Sequence, residues 1–324
     1  MNAVDISNFG SNEVTNKKVI DALWHQIQDT GFCLISGTGI PRPVCEDALT
    51  ACKLFLQEAE EDVRRSTLTK DRARRGYSPM CTENFATLLG NRNAPNDIVR
   101  KFRIGPLSSS GESSLLQPNI WPARDNWSHS EFFQSAVSNY YSHSCACAER
   151  LVRAICEAVI SRAGLQVKDS LHFLSQSFSR QTSILTLLAY RYGARHGRKV
   201  PLVAPHTDVG LATLLIFDAG DCAMLQRKSK EDTWENVTLP SIIGEDPIFV
   251  LNIGDCLSDL SAGVIPSTQH QVIPSSGRSP RNCLALFVGL ESEQQITLPD
   301  TGETLTFEAW RKQRIARAQA HKST

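Results

Sequence analysis

Apolar residues recur with a helical period through the first half of the chain and in short separated runs through the second. Val19, Ile20, Leu23 and Ile27 lie at helical spacing within residues 16–30, and Gly31 closes that pattern. Val4-Asp5-Ile6 before it reads as a short strand, and the unbroken run Phe32-Cys33-Leu34-Ile35-Ser36 after it as a buried one. Thr38-Gly39-Ile40-Pro41 predicts a turn, and residues 43–57 a second helix with Pro43 at its start. The charged stretch 58–75 predicts a solvated helix end and loop. Ser and Gly dominate 108–117, which predicts a mobile loop. Residues 130–164 hold the longest helical pattern, with Phe132, Phe133, Val137, Tyr140 and Tyr141 followed by Leu151, Ala154, Ile155 and Ala158. Such a stripe is a packing face, so this helix is expected to back the core.

From residue 183 the period shortens. Runs at 183–190, 211–217, 223–226, 248–253, 270–273 and 281–288 are separated by Gly and Asp, as in an antiparallel double-sheet barrel. A charged helix over 306–320 closes the chain. The expected organisation is an α/β entry over 1–125, backing helices over 126–180, a β core over 181–295 and the C-terminal helix within 296–324.

Composition narrows the class. A chain of 324 residues, 41% of them hydrophobic, can bury a large core. Its 34 basic and 34 acidic residues cancel, so there is no global field for nucleic acid or acidic lipid. The first residues lack the basic and apolar regions of a signal peptide, and no apolar run approaches a membrane span. The expectation is a cytoplasmic monomer without nucleic-acid or membrane partners. Ten cysteines are scattered singly in apolar runs and read as small buried hydrophobes rather than a disulfide framework. His143-Ser144-Cys145-Ala146-Cys147 falls in a helical pattern, where positions i and i+2 do not face each other, so it is not read as a metal site.

The candidate chemistry lies in Pro205-His206-Thr207-Asp208-Val209-Gly210. In a strand, His206 and Asp208 would point to one side, and His270, about sixty residues on, could join them from a neighbouring strand. Two His and one carboxylate on one face of an octahedral metal form the facial triad of non-haem Fe(II) oxygenases, with the opposite face open. His206, Asp208 and His270 are thus the candidate metal ligands and catalytic residues.

These motifs, with several landmarks around them, resemble the isopenicillin N synthase-like group of Fe(II)/2-oxoglutarate-dependent dioxygenases. Phe32 to Pro41, Arg75-Gly76-Tyr77 and Asn119-Ile120-Trp121-Pro122 are similar to that group's N-terminal region. His206-Thr207-Asp208, Asn252-Ile253-Gly254-Asp255, His270 and Arg281-Asn282-Cys283 are similar to its catalytic half. The resemblance spans nearly the whole chain. It implies an α+β, mainly β fold: a double-stranded β-helix (jelly-roll) core with a helical N-terminal region and a C-terminal helix. It also implies Fe(II), 2-oxoglutarate as cosubstrate and O2, with ascorbate helpful in vitro.

By the same resemblance, Arg281 is expected to bind the far carboxylate of 2-oxoglutarate, since a guanidinium stays charged and pairs with carboxylates through two parallel hydrogen bonds. Two positions depart from the family's pattern. Cys283 stands where the family usually has a Ser that donates to that carboxylate, and a thiol is a much weaker donor. Leu188-Ala189-Tyr190 keeps the Tyr of the family's Asn-x-Tyr and loses the Asn, which gives Tyr190 more of the cosubstrate contact. Tyr77, Phe102, Arg191, Leu211 and Phe287 are the expected substrate contacts. Arg191, Arg195, Arg198 and Lys199 are either a solvated loop or a rim attracting an anionic, carboxylate-bearing molecule. The resemblance implies hydroxylation, desaturation or oxidative ring closure of a specialised metabolite. An Fe(II)/O2 oxidase without the oxo acid, and a non-catalytic binding or sensing protein on the same fold, are the alternatives.

Overall fold

A computed structural model describes residues 2–69, 75–86, 93–107, 117–176, 183–191, 200–238 and 246–320. The expected mobile loop at 108–117 lies outside them but for Gln117, as do Arg195, Arg198 and Lys199.

The chain opens with β1 (Val4–Asp5), α1 (Glu13–Thr30) and β2 (Phe32–Ser36). α1 begins earlier than the apolar spacing predicts because the Asn12 side chain caps it, accepting from the Thr15 N–H at 3.0 Å. It stops at Gly31, whose φ of 61° is left-handed. A Cβ there would meet the Pro266 carbonyl oxygen at 2.1 Å, so both the turn and the close approach require glycine.

The second helix, α2 (Arg42–Lys53), runs into a π-helical turn at Leu54–Glu58, closed by the Ala59 N–H on the Leu54 carbonyl at 2.8 Å. After α3 (Glu61–Arg65), the stretch expected to be solvated is partly interior: Arg64 and Arg75 are buried. Arg64 donates to the Ala59 carbonyl and Arg100 to the Leu56 carbonyl, so guanidinium groups satisfy the π turn's free acceptors.

β3 (Gly76–Ser78) and β4 (Arg100–Ile104) precede the long α4 (Ser130–Ile160) and α5 (Leu165–Gln176). The catalytic half carries β5 (Ile184–Tyr190), β6 (Val203–His206), β7 (Ala212–Phe217), β8 (Ala223–Lys228), β9 (Trp234–Asn236), β10 (Phe249–Ile253), α6 (Asp255–Leu260), β11 (His270–Pro274) and β12 (Arg281–Val288). A hairpin of β13 (Gln295–Thr297) and β14 (Thr304–Thr306) leads into α7 (Phe307–Ala320).

Eight strands form one sheet, in the order β1-β2-β10-β7-β12-β5-β4-β3, and β6-β11-β8-β9 form the smaller sheet. Strand parity divides the interior in two. Leu185, Leu187 and Ala189 of β5 and Leu284 and Leu286 of β12 join the core under α1, α2 and α4. Leu188, Tyr190, Cys283 and Ala285, one residue out of phase, join the core between the two sheets. The functional site lies in this second core. None of the ten cysteines forms a disulfide, and only Cys81 is exposed. No helix among the described residues is long and apolar enough to cross a membrane.

Candidate active site

The site is assembled where β6 and β11 pair. His206 and His270 are direct cross-strand partners, with ring centroids 4.3 Å apart. β6 ends at His206, so Asp208 reaches the pair from the turn that follows rather than by strand alternation. Its Oδ1 lies 3.9 Å from His206 Nε2 and its Oδ2 3.8 Å from His270 Nε2. All three side chains are buried, and one donor atom from each lies within 4.8 Å of the others.

Neighbouring groups fix the donor atoms. His206 Nδ1 faces the Ala204 carbonyl at 2.8 Å and His270 Nδ1 faces the Thr268 carbonyl at 3.2 Å. Opposite a carbonyl oxygen an imidazole nitrogen can only donate, so each Nδ1 carries the proton and each Nε2 keeps its lone pair for a metal. Asp208 Oδ2 accepts from Asn252 Nδ2 at 2.8 Å and from the Thr213 hydroxyl. Burial alone would raise the Asp208 pKa, but the two histidines and these hydrogen bonds outweigh it and hold the carboxylate ionised. Burial, reinforced by His270, pushes His206 down to about 3, so its ring is neutral and able to ligate. Two imidazole nitrogens and one carboxylate form a donor set that fits Fe(II).

The turn carrying Asp208 is locked by backbone contacts. Gly254, Asp255 and Cys256 donate N–H bonds to the carbonyls of Leu211, Asp208 and Gly210. A Cβ on Gly254 would lie 2.2 Å from the Gly210 oxygen, so the approach depends on glycine.

Beside the triad a cavity of about 40 Å3 opens between the sheets. Its walls include Tyr190, Phe217, Cys283 and Phe287, with Phe85 among them. Arg281 is buried two residues before Cys283 on β12, with its guanidinium 4.0 Å from the Phe217 ring centre. It donates through Nη1 to the Ala223 carbonyl, while Nε has no partner. No carboxylate pairs with it among the described residues. A buried, unpaired cation is costly, and a ligand carboxylate would satisfy it. Tyr190 is the cross-strand neighbour of Arg281. Cys283 lines the cavity, and burial pushes its thiol up to about 12, so it stays protonated.

The expected substrate contacts divide. Phe287 lines the cavity, but Tyr77, Phe102 and Leu211 do not. Tyr77 and Phe102 are register partners on the helix-facing side, where they pack against Phe55, and Leu211 is fully buried in the same core. Arg191 follows β5, is exposed and acts electrostatically on Arg100, whose side chain is held by the π turn. It does not line the cavity.

The sequence reading missed Phe85. Its ring stacks on His206 at 5.3 Å with an interplanar angle of 10° and lies 6.2 Å from Phe287. Lys101 Nζ covers its other side at 3.9 Å. Lys101 pairs with Asp97 at 2.7 Å, and Asp97 also accepts from the Phe85 N–H at 3.1 Å. Arg103 binds Glu83, which also accepts from Ser78. This ionic cluster fastens the loop that holds Phe85 over the metal ligand.

A jelly-roll of two sheets enclosing a His-Asp-His triad beside a buried arginine defines a non-haem Fe(II)/2-oxoglutarate-dependent dioxygenase, and the chain belongs to the 2OG-Fe(II) oxygenase superfamily. Residues 183–290 match that superfamily, and residues 1–124 match the N-terminal region named for the non-haem dioxygenase in morphine synthesis. A homoarginine-6-hydroxylase of Arabidopsis thaliana is 26% identical over 282 residues, covering 86% of this chain and 72% of that one. A 2-oxoglutarate-dependent dioxygenase of Trichoderma harzianum is 22% identical, covering 88% of this chain and 83% of the relative. Among solved structures, a full-length Neurospora crassa protein in complex with alpha-KG superimposes with a TM-score of 0.77 at 23% identity, covering 98% of this chain and 96% of that one. A 2OG-Fe(II) oxygenase family protein of Caulobacter crescentus gives 0.78 at 20%, covering 98% of both chains.

Proposed function

We propose that this enzyme hydroxylates an uncharged, apolar portion of a small molecule while 2-oxoglutarate is decarboxylated to succinate. Iron, the oxo acid and O2 together supply the oxidation: one oxygen atom enters succinate as CO2 leaves, and the other enters the substrate's C–H bond. His206, Asp208 and His270 would hold the iron through two Nε2 atoms and a carboxylate oxygen. Arg281 would take the distal carboxylate of 2-oxoglutarate, with Tyr190 and Cys283 beside it. The observation that carries this reading is the buried Arg281 guanidinium, which has no carboxylate partner among the described residues and packs on Phe217, a wall of the triad's cavity.

The lining supports an apolar substrate portion. Leu188, Val203, Leu215, Leu225, Val272 and Ala285 surround the triad. The cations nearest Phe85 are already paired with Asp97 and Glu83. Arg191 is exposed and does not line the cavity, so a substrate carboxylate would not find it there. Phe85 and Phe287 would form the wall against which the substrate lies. Hydroxylation is preferred to desaturation or ring closure because the Arabidopsis relative is named for a hydroxylation.

Incubation with Fe(II), 2-oxoglutarate, ascorbate and a panel of small molecules, read by mass spectrometry, tests the proposal. A product heavier by one oxygen, with succinate formed in equal amount, is expected. Product without succinate would identify an oxidase instead, and loss of two hydrogens would identify a desaturase or cyclase.

A further inference from the structure

The C-terminal helix reaches the metal turn through a chain of polar contacts. Two residues of α7, four apart, engage two residues of α6, also four apart. Trp310 Nε1 donates to Asp259 Oδ2 at 3.0 Å, and Arg314 Nη2 binds Asp255 Oδ2 at 2.8 Å. Positions four apart lie on one face of a helix, so the two helices meet along a single seam. The same Asp255 oxygen accepts the Thr207 hydroxyl at 3.0 Å, and the Asp255 N–H donates to the Asp208 carbonyl at 2.7 Å. Thr207 lies between two of the triad residues. Asp255 thus holds the backbone of one ligand and the side chain of the residue joining both.

Asp255 is buried, and its side chain is only 7% exposed. Removing the cationic partner of a buried carboxylate leaves an uncompensated charge, which is strongly unfavourable. Among the described residues Arg314 is that partner. Without Arg314, Asp255 would lose its charge partner and Thr207 a contact at 3.5 Å.

We propose that Arg314 is a positioning residue for the metal centre: through Asp255 it holds the Thr207-Asp208 turn, so this one contact, rather than docking of α7 as a whole, sets how tightly the triad holds its metal. This rests on the triad being the iron site. Partners one contact behind metal ligands typically contribute about 10- to 100-fold in metal affinity.

The test is calorimetric titration of the metal-free full-length protein with Mn(II), a divalent ion that needs no oxygen exclusion, alongside thermal unfolding without metal. Arg314→Met is expected to weaken Mn(II) binding about tenfold or more, and Arg314→Lys to recover most of the loss. Thr207→Val should weaken it similarly, and the double variant should be no worse than the weaker single one, because both break the same path. Trp310→Phe is the control for docking alone, expected to lower the unfolding temperature at least as much while changing Mn(II) affinity less than about threefold. Mn(II) affinity within about twofold of wild type in Arg314→Met would overturn the inference, and so would an equal loss in Trp310→Phe. Arg314→Gln replaces Arg314→Met if the latter does not fold. If Asp208→Ala binds Mn(II) as well as wild type, the iron-site reading fails, and the inference fails with it.

Discussion

Replacing Arg281 by Met should move two quantities in opposite directions. Arg281 is 6% exposed, has no carboxylate partner among the described residues, and is held only by the Ala223 carbonyl and the Phe217 ring. If its partner is the distal carboxylate of 2-oxoglutarate, truncation leaves that carboxylate buried and unpaired. Breaking such a pair costs about 3 kcal/mol, or about a hundredfold in Kd. The ligand-free protein, by contrast, loses a buried cation and gains an apolar chain of similar length. Such swaps are neutral or stabilising by about 1–4 kcal/mol, offset here by about 1–2 kcal/mol for the lost ring and carbonyl contacts. The metal-free unfolding temperature should therefore stay level or rise by up to about 4 °C. Calorimetry of 2-oxoglutarate binding to the Mn(II)-loaded protein, with thermal unfolding of the metal-free form, reads both. The reasoning is refuted if 2-oxoglutarate affinity changes less than about threefold, or if the variant melts several degrees early.

Asp208→Ala should remove stoichiometric metal binding and turnover together, because the one hard anionic ligand is lost; iron content after reconstitution reads the first. Phe85→Ala should leave 2-oxoglutarate affinity unchanged but raise the ratio of succinate to oxidised product, since the wall over His206 is gone; an unchanged ratio would remove Phe85 from the substrate chamber. Burial opposes the charge of Glu83, but Arg103 and Lys101 beside it hold its carboxyl down to about 2, against an ordinary value of 4.5. A depressed folded pKa gives stability that is present above the unfolded value and lost as pH falls from 4.5 toward about 2. That loss should approach about 2–3 kcal/mol, and urea unfolding of Glu83→Gln should show a flatter acid limb than wild type.

The triad was legible because its information is local in kind: donor types, a two-residue spacing and a third donor at a strand start. The strands around it were legible where they are apolar, as in β12, whose bounds match the run 281–288. β4 was not, because Arg100-Lys101-Phe102-Arg103-Ile104 carries three cations in five residues. Its charges are tolerated inside because Asp97 and Glu83 arrive from the preceding loop, and no spacing rule announces that meeting. The same blindness misplaced Tyr77 and Phe102. The family resemblance points to both as pocket residues, but parity decides which core they enter, and parity is set by the pairing of Phe102 with Leu187. Phe85 carried no signal at all, being a lone aromatic in a polar loop.

The pairing of β6 with β11 has a consequence for how the protein survives without iron. His206 and His270 are joined by that short ladder, whose register is broken by a bulge between His270 and Val272. A bound metal would therefore act as a rivet across a short, bulged seam of the smaller sheet. At a free metal concentration about a hundred times Kd, the rivet is worth about 2.7 kcal/mol. Iron-starved protein should open first at this seam, exchanging the β6 and β11 amide protons and admitting proteases long before the helix-backed sheet yields.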